Sequence, residues 1–241
     1  GKGSSEYTDP AEFFRRTYIT SGLKDLLRIA LLRLNGQAAD PVIELQTNFG
    51  GGKTHSMLAL YHLCSGTSLN LLTGLEEVCA EVGIKSVPKA NTAVLVGTAF
   101  SAAEPTTKAD GTVVNTLWGE LAYQLGGSAG YALVANSDRE RISPGARDIA
   151  ELFRQCAPCL VLIDEWVAYA RNLVGKDDLP AGTYDSQISF AQALTEAAKQ
   201  VPNALLLISV PQSTNEIGGS NGEMALEGLR NVLQRIATEW R

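Results

Sequence analysis

The sequence contains no run of eighteen apolar residues, so no membrane-spanning helix is expected. Positive charge is also short. Lys and Arg number 20 against 26 Asp and Glu, and with a formal net charge of −6 nothing suggests an overall nucleic-acid footprint. Histidine occurs twice and cysteine four times. Cys156-Ala-Pro-Cys159 has the spacing of a redox pair or half a zinc site, but no second C-x-x-C or histidine pair stands at zinc-ligand spacing. Cys64, Cys79, Cys156 and Cys159 therefore read as structural, reduced thiols, which suits a cytoplasmic protein. Gly1 to Glu6 is short and polar, unlike a signal peptide, and no initiator Met is present, which suggests a chain cut from something longer. Internal repeats, low-complexity tracts and an Asn-Lys-x-Asp guanine motif are all missing.

What is present is strand–helix alternation. Apolar runs at Val42 to Leu45, Thr92 to Gly97, Cys159 to Ile163 and Asn203 to Val210 read as buried strands, with a last short strand near Ile236 to Trp240. Helical stripes separate them. Leu23, Leu26, Leu27, Ala30, Leu31 and Leu34 form the first, starting from Ser21 as N-cap and stopping at Asn35-Gly36. Others are expected at His55–Cys64, Ser68–Val82, Val114–Leu125, Ile149–Cys156, Gln187–Gln200 and Met224–Gln234. Residues 101–113 and 126–144 read as loop, the second with a short helix near Tyr131, and 218–222 reads as a flexible turn. The pattern predicts an α/β three-layer sandwich with a mostly parallel sheet, in one domain over 1–241: a helical lead-in at 1–40 and a core at 41–241. Phe13, Phe14 and Tyr18 in the lead-in either reach a ligand's adenine ring or pack the segment onto the core.

Two stretches carry chemistry. Thr47-Asn48-Phe49-Gly50-Gly51-Gly52-Lys53-Thr54-His55 sits between an apolar strand and a helix. It resembles the P-loop (Walker A) motif, with Thr47 where the motif's first Gly normally stands. Residues without Cβ let the backbone wrap its N–H groups around phosphate oxygens, and the following helix start adds its own unpaired N–H groups. Lys53 would meet the β- and γ-phosphates, and the Thr54 hydroxyl would hold Mg²⁺. The second stretch, Cys159-Leu-Val-Leu-Ile-Asp164-Glu165, resembles Walker B. A buried strand ending in two carboxylates delivers them to the C-terminal edge of a parallel sheet. Asp164 would join the Mg²⁺ shell and Glu165 would polarise the attacking water. Ser209, Gln212 and Ser213, at the end of the 203–211 strand, are candidate polar sensors of the γ-phosphate or the water.

Taken together these stretches resemble the additional-strand, catalytic-glutamate class of P-loop ATPases, in particular the AAA-type group. That resemblance implies a five-stranded sheet of order 5-1-4-3-2, ATP and Mg²⁺ as ligands, and a lid domain outside this chain. More narrowly, Asp9-Pro-Ala-Glu-Phe-Phe-Arg-Arg-Thr-Tyr, Leu45-Gln-Thr-Asn-Phe-Gly-Gly-Gly-Lys-Thr-His and Ile163-Asp-Glu-Trp-Val-Ala-Tyr-Ala-Arg resemble a bacterial family of large AAA-type ATPases of unknown function. In that family Thr47 is a usual occupant, and the genes often lie near DNA methyltransferases in phage-defence or DNA-modification clusters. The resemblance implies further domains of a longer chain and a homo-oligomer as partners, and DNA only indirectly. Arg230 and Arg235 are candidates for an arginine finger offered to a neighbouring subunit, and Arg171 for one acting in the same chain. Two other functions compete with hydrolysis: a nucleotide-gated interaction switch, and a small-molecule kinase, which Asp164-Glu165 suits less well.

Overall fold

The computed structural model describes residues 5–46, 52–212, 217–235 and 238–240. Helices α1 (Ser5–Thr8) and α2 (Pro10–Arg16) open the chain. Asp9 caps α2, its carboxylate accepting the Glu12 N–H at 2.7 Å, and Pro10 occupies the position where a missing N–H costs nothing. Helix α3 (Ser21–Leu34) follows, capped by the Thr20 hydroxyl rather than by Ser21, which is its first helical residue. Strand β1 (Val42–Gln46) leads towards α4 (Lys53–Leu63). The single helix expected over Ser68–Val82 is a 3-10 turn at Leu69–Leu71 and a helix α5 (Leu75–Glu81). They are split at Gly74, whose φ of +84° and close approach to Ile19 Cδ1 exclude a side chain.

Strand β2 (Asn91–Val96) ends in a 3-10 turn at Gly97–Ala99. The expected loop at 101–113 carries a small antiparallel hairpin, β3 (Thr106–Thr107) and β4 (Val113–Val114). Helix α6 (Leu117–Ala132), kinked at Gly127, and helix α7 (Ala135–Glu140) occupy most of what the sequence suggested was loop. Glycine there serves packing. A Cβ at Gly130 would lie 2.5 Å from Ala122 O and 3.3 Å from Leu152 Cδ1. Then come α8 (Ala146–Cys156), β5 (Cys159–Asp164), α9 (Trp166–Ala170), α10 (Tyr184–Gln200) and β6 (Ala204–Val210). Helix α11 (Gly219–Leu233) starts where a flexible turn was expected, and β7 (Thr238–Trp240) ends the described chain.

The main sheet runs β2-β5-β6-β1-β7, every pairing parallel: four strands of five to seven residues, with the three-residue β7 added beside β1. Alternation along the strands fills two cores. Ile43, Leu45, Leu160, Leu162, Leu205 and Leu207 face α2–α5, while Val42, Val161, Ile163, Leu206 and Ile208 face α6, α8, α10 and α11. Helices α2 and α3 thus contribute to a full layer, with Phe13 and Phe14 packed in it; Tyr18 is 86% exposed.

Strand β2, expected to be buried, lies at the sheet's edge. Its open side is met by the Gln124 amide of α6, which donates to Val94 O at 3.1 Å and accepts from Val94 N–H at 2.7 Å. Arg33, buried at the end of α3, crosses to the other layer. Its guanidinium donates to Ala198 O (2.7 Å) and Val201 O (2.8 Å) at the end of α10, and to Ala204 O (2.9 Å) at the start of β6. Desolvation lowers its pKa, with Asp40 opposing. The four cysteines are free and buried, as structural thiols should be. Burial pushes the Cys64 and Cys159 thiols up to about 12. Among the described residues no helix is long and apolar enough to cross a membrane.

Candidate functional site

A parallel sheet brings all its strand ends to one edge, and helices starting there point their free N–H groups at the same place. Here that edge gathers polar side chains from four parts of the chain. Lys53 and Thr54 open α4, directly after Gly52, whose φ of +81° and ψ of 13° are the left-handed conformation glycine supplies. Thr47, Asn48, Phe49, Gly50 and Gly51 lie outside the described residues, as does Ser213. Asp164 ends β5, and Glu165 follows it. Ser209 sits near the end of β6, and Thr98 lies just past β2.

Lys53, Thr54, Asp164, Glu165, Ser209, Thr98 and Arg171 line one cavity of about 400 Å³. A second, mainly apolar cavity of about 380 Å³ adjoins it, sharing Thr54 and Asp164 and extending along Met57, Leu58, Tyr61 and Val94. Asp164 is tightly held: its Oδ1 accepts from the Ser209 hydroxyl and from the Glu165 N–H, the latter at 3.0 Å. The exposed Glu165 carboxylate accepts from the Thr98 hydroxyl. Its backbone is unusual, with φ 54° and ψ 32°, a conformation that strains a residue with a Cβ. Gly97 lies against that backbone. A Cβ there would overlap Glu165 O and come within 3.1 Å of Tyr169 Cβ, so only glycine lets the end of β2 reach Glu165.

The other candidates have other placements. Gln212 is exposed, does not line the cavity, and offers its carbonyl to Arg230 at 2.9 Å. Arg230 also donates to Pro211 O at 2.8 Å, so its guanidinium braces the segment after β6. Arg171 reaches the cavity while donating to Ile217 O at 2.7 Å. Arg235 is exposed beyond α11. His55, one residue past Thr54, directs its ring to α2, with Nε2 3.1 Å from Thr17 Oγ1. Thr98 and Gly97 were not anticipated, although the logic that singled out Ser209, a polar residue at a strand end, applies equally to Thr98.

Among the described residues no group of three His, Cys, Asp or Glu side chains gathers to hold a metal ion alone. Thr54 and Asp164 both line the cavity and offer it a hydroxyl and a carboxylate oxygen. That suits Mg²⁺, which keeps several waters and binds protein through one or two oxygens alongside substrate phosphates.

The arrangement defines an α/β protein with a mostly parallel sheet and a polar, doubly acidic site at the C-terminal edge of its strands. The chain belongs to the DUF499 N-terminal domain family, whose model matches residues 1–239. No curated protein and no solved structure matches it.

Proposed function

We propose that this chain is a P-loop ATPase module of the AAA type that binds Mg²⁺-ATP and hydrolyses its β–γ phosphoanhydride. The observation that carries this reading is the convergence of Lys53, Thr54, Asp164, Glu165 and Ser209 on one cavity. The strand order supports it as well. Taking β1, β2, β5, β6 and β7 as strands one to five, the sheet reads 5-1-4-3-2.

In this reading the N–H groups at the start of α4 and the Lys53 ammonium bind the phosphate oxygens. Thr54 and Asp164 hold the metal, Asp164 being oriented by the Ser209 hydroxyl and the Glu165 N–H. When bound, Mg²⁺ neutralises charge on the β- and γ-oxygens. Glu165, with no metal to ligate, accepts a proton from the attacking water. Arg171 is the in-chain cation nearest to hand for the transition state, as it already lines the cavity.

The test is nucleotide binding and phosphate release by the purified protein. Lys53→Ala is expected to abolish binding. Glu165→Gln is expected to keep affinity and lower release at least ~100-fold, the usual scale for a general base. Full turnover by Glu165→Gln would remove the assigned role, and binding retained by Lys53→Ala would remove the phosphate site.

One observation favours a nucleotide-gated switch with little intrinsic hydrolysis. The Thr98 hydroxyl donates to Glu165 Oε2, and a hydrogen bond to the ionised form makes that carboxylate a weaker base towards water. A single turnover without steady-state release would favour that reading.

A further inference from the structure

The chain's two histidines both lie on α4, seven residues apart, and so on one face of that helix. Both are turned towards the N-terminal pair α1–α2. Phe13 of α2, 2% exposed, is seated between them, its ring centroid 4.7 Å from that of His55 and 4.9 Å from that of His62.

Each ring also makes one hydrogen bond to the N-terminal pair. The Thr17 hydroxyl gives its one proton to Phe13 O at 2.8 Å, so towards His55 it accepts, and His55 Nε2 is the donor. His62 Nε2 stands 3.0 Å from Tyr7 O, a carbonyl that can only accept, so Nε2 carries the proton there too. His62 is 2% exposed and its Nδ1 has no partner among the described residues. A neutral ring leaves an unpaired acceptor at Nδ1, which is tolerable. A protonated ring would bury a charged N–H with nothing to receive it, which costs far more.

We propose that α1–α2 is a strap on α4, latched by neutral His62 and released when that ring takes a proton. The proposal does not depend on the chemistry of the site, but the strapped helix is the one that begins with Lys53 and Thr54.

The charges around the latch do not replace it. Against the burial that lowers the pKa of His62, the hydrogen bond to Tyr7 O pulls the other way, and after it Asp9, the cap of α2, whose carboxylate is taken by the Glu12 N–H. Glu12, held to about 2 by Arg15 and then Arg16, stays ionised at any pH of interest. Among the described contacts of His62, Tyr7, Tyr61 and Phe13 bring no negative charge, and neither does His55 across Phe13. Burial lowers the pKa of His62 from its ordinary 6.5, so docking is complete above 6.5 and is lost as pH falls through and below that value. At pH 5.0, still above the ordinary carboxylate range, the linkage reaches up to about 30-fold in the docking equilibrium.

The experiment is amide hydrogen exchange of residues 8–17 in the whole chain at pH 7.5 and 5.0, corrected for intrinsic rates. Wild type is expected to lose protection at pH 5.0, by at most about 30-fold. His62→Gln, which keeps a donor for Tyr7 O and cannot titrate, is expected to hold its protection at both pH values. His62→Phe serves the same purpose should the amide variant not dock at pH 7.5. His55→Gln is expected to respond to pH like wild type. Independently, with only two histidines in the chain, ring NMR follows each one, and the His62 midpoint is expected below 6.5 and coincident with the exchange change. Constant protection in wild type, equal loss in a docked His62 variant, loss that follows His55, or a His62 midpoint at or above 6.5 would each overturn the strap.

Discussion

Glu165 is the residue on which the two readings of the site divide, and Thr98 is its immediate neighbour. If the Thr98 hydroxyl restrains the carboxylate, Thr98→Val should leave nucleotide affinity within about twofold and raise phosphate release about fivefold, roughly 1 kcal/mol of barrier. An unchanged or lower rate, measured under saturating Mg²⁺-ATP, would show that the contact is not a restraint. That Lys53, Thr54, Asp164 and Glu165 would meet was expected from the glycine turn and the strand end that carry them, and they line one cavity. Thr98 was not expected. A threonine after an apolar strand is commonplace, and its partner lies 67 residues away, brought near only by the pairing of β2 with β5. His55 shows the opposite limit. Its position beside Thr54 suggested a ligand contact, yet its ring serves α2, since adjacent helix positions face about 100° apart.

At the scale of elements, the strands were the readable part, and the second half of α6 with α7 the unreadable one. Gly126, Gly127 and Gly130 signal a loop by propensity, but Gly130 is there because α6 folds back on itself closely enough to exclude a Cβ. The apolar run of β2 did not by itself tell its place, since it looks the same at the edge of a sheet as at its centre; only the implied order 5-1-4-3-2 set it at an edge. Its open edge is a hazard, as unpaired strand groups recruit other strands. Gln124 covers it at Val94 and is itself held by Glu120, which pairs with Lys108 at 2.6 Å. Gln124→Ala removes both bonds and is expected to cost about 1–2 kcal/mol in chemical denaturation, with added concentration-dependent self-association by light scattering. A variant as stable and as monodisperse as wild type would show that the edge needs no cover.

For the whole molecule, the layered α/β architecture followed from strand–helix alternation, and the helices of the lead-in pack into one of its layers. Helices α2 and α3 complete one face of the sheet. A ligand at the strand edge bridges β5, β6 and α4, so it should stabilise the fold as a unit. Mg²⁺-ATP at one hundred times its Kd is expected to add about 2.7 kcal/mol, or roughly 5–10 °C in Tm for a chain of this size. Lys53→Ala should show no such shift in differential scanning calorimetry. A shift that persists in that variant would point to nucleotide binding elsewhere.

The reach of Arg33 sets a boundary for anyone trimming this chain. A fragment begun at residue 41, where the sequence alone would place the core, discards the guanidinium that closes the end of α10, a partner 165 positions downstream. The bare carbonyls of Ala198, Val201 and Ala204 would then face a layer stripped of α3. The shortest stretch that can fold as described therefore begins before α3, whose Arg33 serves the far side of the sheet as well as its own.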